Sequence, residues 1–123
     1  MILQPLIGNG YLSHAKGVRS DTMYVSGIFN GETTSPSHRA ALPALYAVTV
    51  DASTTTAVLL DVSTGTYHRR GTLTGLSVSY ELRWYAHRTR RHLYILEVDL
   101  DSAEASAVSM GLTANVLQSS ECG

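Results

Sequence analysis

Residues 76–85 alternate without a break: Leu76, Val78, Tyr80, Leu82 and Trp84 are apolar, and Ser77, Ser79, Glu81, Arg83 and Tyr85 stand between them. Successive side chains of a strand point to opposite faces, so this pattern predicts a half-buried strand with the first set inward. Residues 93–100 alternate again, with Tyr94, Leu96, Val98 and Leu100 on one side and Leu93, Ile95, Glu97 and Asp99 on the other. The two runs predict an antiparallel hairpin that places Tyr80, Leu82, Trp84, Leu96, Val98 and Leu100 in a core. Shorter runs rich in Val, Ile, Tyr or Thr predict strands at 23–29, 45–50 and 57–62. Turn chemistry separates them: Asn30-Gly31, Ser63-Thr64-Gly65 and Gly71 reach left-handed angles or bond their own backbone cheaply, and Pro36 and Pro43 supply no ladder donor. Residues 51–56 read as a polar hairpin loop. Beyond Ser102 the pattern forks. Leu112, Ala114 and Val116 suit a strand, Val108, Leu112 and Val116 suit a weak helix broken by Gly111, and the strand is preferred. With no convincing 3.6-residue period elsewhere, the expected fold is an all-β antiparallel sandwich.

Size and composition narrow the class without naming a partner. A chain of 123 residues with net charge −1, 15% charged and 44% hydrophobic residues is one ordinary globular domain. Cys122 has no second cysteine to pair with, which suits a reducing compartment. The first seven residues carry no basic region and too few apolar residues for a secretory signal or a membrane span, so the cytosol is expected.

Candidate chemistry is sparse. Gly8-Asn9-Gly10 lacks the spacing and the following Lys-Ser/Thr of a phosphate loop and reads as a tight turn. None of His14, His38, His68, His87 and His92 stands at a helical metal-ligand spacing, so neither a metal nor another cofactor is expected. Hydrolysis of a glycoside with inversion needs two carboxyls about 6.5–9.5 Å apart. Glu81 and Glu97 fall on polar strand faces and most aspartates flank turns, leaving Glu32 and Asp21, both in loops, as the carboxylates placed to touch a sugar. Six arginines against one glutamate within residues 69–92, interleaved with Tyr80, Trp84 and Tyr85, open a nucleic-acid reading. No RNA-binding signature accompanies them, and docking onto another domain or onto sugar hydroxyls accounts for the same residues. Tyr85, which alternates outward, is the aromatic placed to stack on a sugar.

Four runs in order, Gly8-Asn9-Gly10-Tyr11-Leu12, the stretch 21–31 ending in Ile28-Phe29-Asn30-Gly31, Ser37-His38-Arg39-Ala40-Ala41-Leu42-Pro43, and Tyr85-Ala86-His87-Arg88-Thr89, resemble the amino-terminal region of glycoside hydrolase family 65. The acid-trehalase-like branch is the nearest, and the resemblance covers about residues 7–100. It implies a two-layer β-sandwich whose (α/α)6 barrel, carrying the general acid and the water-activating group, lies far downstream. Residues 1–123 are then expected to be one N-terminal sandwich domain, cut short and without that barrel, which becomes the expected partner. The resemblance also singles out His38-Arg39 and His87-Arg88 as loop pairs that brace the sandwich against the barrel. With Glu32 and Tyr85 they make up the candidate substrate or interface residues, and no catalytic residue is expected. A free-standing β module that binds carbohydrate or, as the lesser option, RNA is the alternative.

Overall fold

The inward positions of Val78–Ala86 are apolar and the positions between them are charged or hydroxylated, and this strand lies inside the central sheet. In the computed structural model, which describes residues 6–15, 22–31, 36–43, 46–50, 53–103 and 109–114, this sheet has the order β11-β10-β9-β8. Its members are β8 (Ser53–Asp61), β9 (Thr66–Leu73), β10 (Val78–Ala86) and β11 (Tyr94–Ser102), all antiparallel. A second four-stranded sheet runs β1 (Leu6–Gly8), β2 (Leu12–Ala15), β3 (Thr22–Val25) and β6 (Leu42–Pro43). Two ribbons complete the described fold: β4 (Phe29–Asn30) with β5 (His38–Arg39), and β7 (Tyr46–Val50) with β12 (Met110–Ala114). The fold is all-β and antiparallel, of sandwich type. Among the described residues no helix is long and apolar enough to cross a membrane.

The two four-stranded sheets meet through one row of side chains. Ile7, His14, Met23 and Leu42 pair in register across the second sheet, and the first three are buried. Ile7 packs into a cluster with Val50, Leu73, Val78, Tyr80, Leu82 and Trp84, while the His14 ring stands edge-on to Tyr94 of β11 and hydrogen-bonds its hydroxyl. Trp84 lies opposite Tyr67 on one side and Leu96 on the other, with its ring tilted 47° against Tyr67 at 5.6 Å.

Of the six predicted core residues, Tyr80, Leu82 and Trp84 are buried and Leu96 packs against them half-buried, but Val98 and Leu100 are exposed. The reason is position. β11 is an edge strand, and beside it runs an open apolar groove of about 510 Å³ lined by Val48, Tyr94, Leu96, Val98 and Met110. Leu76 also departs from its predicted inward place. Its N–H closes a turn onto the Leu73 carbonyl before β10 begins, which leaves it 43% exposed.

Three further corrections concern the strands themselves. Residues 53–56, read as a loop, are the first part of β8, and Gly71, read as a turn, lies inside β9, a strand the sequence did not predict. The predicted strand 23–29 breaks at a turn over Ser26 and Gly27, so that Phe29 belongs to a separate ribbon. The ambiguous end resolves as the preferred strand: Met110–Ala114 pairs with β7 from Met110↔Val50 to Ala114↔Tyr46. Val116 lies outside the described residues.

Candidate functional site

Gly8-Asn9-Gly10 forms the turn between β1 and β2, and its sharp reversal falls on Gly10, at φ +86°, an angle that a Cβ makes costly. Asn9 contributes through its side chain. Its Oδ1 accepts the backbone N–H groups of Tyr11 and Leu12, both at 2.9 Å, which closes an Asx turn. Its Nδ2 donates to the carbonyl oxygens of His87 at 2.8 Å and Arg91 at 2.9 Å. One amide thus joins two runs that are far apart in the chain.

The second run is a loop held from within. His87 Nδ1 accepts the N–H of Arg90 at 3.0 Å and that of Thr89 at 3.3 Å. An N–H can only donate, so this ring nitrogen carries its lone pair toward the loop. The His87 N–H bonds the Leu93 carbonyl, and Arg88 Nη2 donates to the Ser63 carbonyl at 2.9 Å, tying the loop to the β8–β9 turn. That turn has its own anchor in Asp61, whose carboxylate accepts the Ser63 hydroxyl at 2.7 Å and the Ser63 N–H at 2.9 Å. Hydrogen bonds from the Ser63 and Thr64 side chains, with the Ser63 backbone, bring its pKa down to about 2. Replacing Asn9 with alanine is expected to cost about 2–3 kcal/mol, since four partly solvated hydrogen bonds are lost at once. Asn9→Asp keeps the two acceptor bonds and loses the two donor bonds, so thermal unfolding of the pair separates the turn from the tie. An unchanged melting temperature in Asn9→Ala contradicts the tie.

The other candidates lie elsewhere. His38 and Arg39 are exposed on β5, where Arg39 pairs with Phe29 and His38 with Asn30. His38 Nδ1 reaches its own Pro36 carbonyl at 3.2 Å. Tyr85 points outward as predicted, and its hydroxyl donates to Glu97 Oε1 at 2.8 Å. Glu32, and Asp21 with it, lie outside the described residues.

Two of the six arginines in the basic stretch, Arg70 and Arg83, meet acids across strands on the outward face of the central sheet. Arg83 meets Glu97 at 2.9 Å, Asp99 at 2.6 Å and Glu81 at 3.6 Å, and Arg70 meets Glu81 at 3.1 Å. His68 donates from Nδ1 to Glu81 at 2.8 Å. The His68 bond, with Arg70 and Arg83 nearby, holds Glu81 below the usual carboxylate range. Bonds from Tyr85 and Arg83 do the same for Glu97, which in turn raises the pKa of Tyr85. A general acid needs its carboxyl raised toward neutrality, and Asp61, Glu81 and Glu97 are all moved the opposite way. Among the described residues no group of three or more His, Cys, Asp or Glu could hold a metal ion.

Sequence reasoning missed a small cleft on the other side of the β1–β2 turn. Tyr11, Ser13, Tyr24, Ser26, Phe29 and Arg39 line a cavity of about 220 Å³ where the β2–β3 hairpin meets the β4–β5 ribbon. Ser13 and Tyr24 pair directly and face away from the buried side of their sheet, on which Leu12, His14 and Met23 lie. The Ser26 N–H bonds the Tyr11 carbonyl at 2.7 Å and extends the hairpin, the Ala40 N–H bonds the Ile28 carbonyl at 3.2 Å and extends the ribbon, and a turn from the Ile28 N–H to the Val25 carbonyl at 3.3 Å leads from one to the other. The legible sign was the Ser26-Gly27 pair, which ends the strand before Phe29.

Among the described residues, fold and site together define antiparallel sheets with internally braced loops and lowered carboxyls at Asp61, Glu81 and Glu97. Comparison with known proteins adds one match: the chain is 33% identical over 99 residues to protein-glucosylgalactosylhydroxylysine glucosidase of Mus musculus, which amounts to 76% of this chain and 14% of that enzyme. This supports a distant relation to the enzyme. The chain thus spans about one seventh of the length of the relative it matches. No protein-family model matches the chain, and no solved structure matches it.

Proposed function

We propose that residues 1–123 are a non-catalytic N-terminal β-sandwich portion of a glucosidase similar to glycoside hydrolase family 65, which supports an (α/α)6 barrel and walls one side of its sugar site. The observation that carries this reading is the 33% identity over 99 residues to a glucosidase of which the match spans 14%. The antiparallel sheets agree with it, and so does the downward shift of Asp61, Glu81 and Glu97, which suits ion pairing and turn bonding rather than proton donation to a leaving group. On this reading the loop tied by Asn9, His87 and Arg88 is a rigid surface, and its arginines face the barrel. The single Cys122 supports placing the protein in the cytosol.

The test is an assay of the purified chain on glucosylgalactosyl-hydroxylysine, trehalose and kojibiose. No glucose above blank is expected. Release that disappears in Glu32→Gln or Asp21→Asn overturns the non-catalytic role. A second reading, a carbohydrate-binding module that works without a barrel, is favoured by the aromatic cleft between the hairpin and the ribbon.

A further inference from the structure

The cleft of Tyr11, Tyr24, Phe29 and Arg39 has the composition of a binding site rather than of a packing defect. Phe29 is 60% exposed and Tyr11 39%, and both line the same small cavity. Large aromatic surface left in water is unfavourable by roughly 25 cal/mol per Å², so such a cluster marks a surface that something covers. The walls are mixed: aromatic rings from Tyr11, Tyr24 and Phe29, hydroxyls from Ser13, Ser26 and Tyr24, and the exposed guanidinium of Arg39. Among the described residues no carboxylate lines it. A pyranose matches that mixture, because its axial C–H face stacks on an aromatic ring while its rim of hydroxyls bonds serine, tyrosine and arginine. The volume of about 220 Å³ lies below the roughly 300–1,000 Å³ that drug-sized ligands fill, which limits the occupant to about one sugar ring. The site is also built rather than incidental. A turn from the Ile28 N–H to the Val25 carbonyl leads from the hairpin into the ribbon, and Phe29 and Arg39 are register partners, so both reach the cleft from one strand pair.

We propose that this cleft is a subsite for a single hexopyranosyl unit, with Phe29 and Tyr11 as the stacking surface and Arg39 as the hydroxyl donor. The choice of glucose as the hexose rests on the glucosidase reading; the cleft and its lining do not. Arg39 was already singled out by resemblance, and the structure supplies the aromatic partners that sequence had sought at Tyr85.

Methyl α-D-glucopyranoside is the probe, with saturation-transfer NMR on the full chain as the readout. Transfer to the sugar ring protons is expected. It should weaken about tenfold in titration when Phe29 or Arg39 is replaced by alanine, the size typical of a central contact at a binding site. Arg70→Ala, on the outward face of the central sheet, should leave it unchanged. Phe29 and Arg39 are exposed, so both variants should keep the parent's thermal transition. No transfer to the folded chain overturns the subsite and leaves the glucosidase reading standing. Transfer that persists undiminished in Phe29→Ala and Arg39→Ala also overturns it.

Discussion

Replacing Trp84 with alanine is expected to destabilise the protein by about 3–5 kcal/mol, the usual range for removing a large buried aromatic. Trp84 is 5% exposed on the inward face of β10, with Tyr67 and Leu96 as its register partners and Leu82 and Ala86 as its buried neighbours along the strand. None of these is free to collapse into the vacated space, since each is fixed by its own strand. A domain stability of about 5–15 kcal/mol leaves little margin for such a loss. Urea unfolding followed by circular dichroism measures it. A Trp84→Ala protein with an unchanged midpoint contradicts the assignment of the inward face.

The second large effect is expected at Gly71. A Cβ there would stand 2.2 Å from the Thr54 carbonyl oxygen and within 2.5–2.6 Å of the Tyr80 ring and hydroxyl. Neither neighbour can yield. Thr54 is backbone of the adjacent strand, and Tyr80 is 2% exposed in the core cluster. The register of β8 slips between Thr55 and Ala57, opposite Gly71 and Arg70, so the bulge and the glycine together make room for the tyrosine. Overpacking typically costs 1–3 kcal/mol, and with backbone on one side Gly71→Ala should reach about 3 kcal/mol. Thermal unfolding checks it, and a variant as stable as the parent contradicts the close approach of Tyr80 to β9.

These two positions also show what could be read from sequence and what could not. Trp84 was legible because nothing interrupts the two-residue period of β10. β9 was not, because its inward positions include Arg69 and Gly71 and its outward ones His68, Arg70 and Thr72, so polar residues occupy both faces. The start of β8 was hidden in a similar way: Ser53, Thr54, Thr55 and Thr56 read as a polar loop, although threonine suits a pleated strand well. Val98 and Leu100 mark the opposite failure. Their alternation is regular, but periodicity says which side a residue faces and not whether another layer covers that side.

The candidate site divides along the same line. His38-Arg39 and His87-Arg88 were found by resemblance, and the structure places them in separate neighbourhoods, one at the ribbon and one at the braced loop. The link from Asn9 to His87 and Arg91 had no signal in the sequence, since an amide that bridges two loops is visible only once the strands are paired. Tyr85 was correctly read as outward, yet its hydroxyl is engaged by Glu97, and the aromatic surface open to a ligand is at Tyr11 and Phe29. Pairing across strands was equally invisible in the arginine stretch: the partners of Arg70 and Arg83 come from β10 and β11, including Glu97 and Asp99 outside the counted window.

Whether this sandwich serves a glucosidase barrel is decided by a chimera. The stretch of the Mus musculus enzyme matched here is replaced by the corresponding residues of this chain, and glucose release from glucosylgalactosyl-hydroxylysine is measured beside circular dichroism and sedimentation. A folded monodisperse chimera that releases glucose above blank is expected. A chimera that folds like the parent enzyme and releases none would contradict that role.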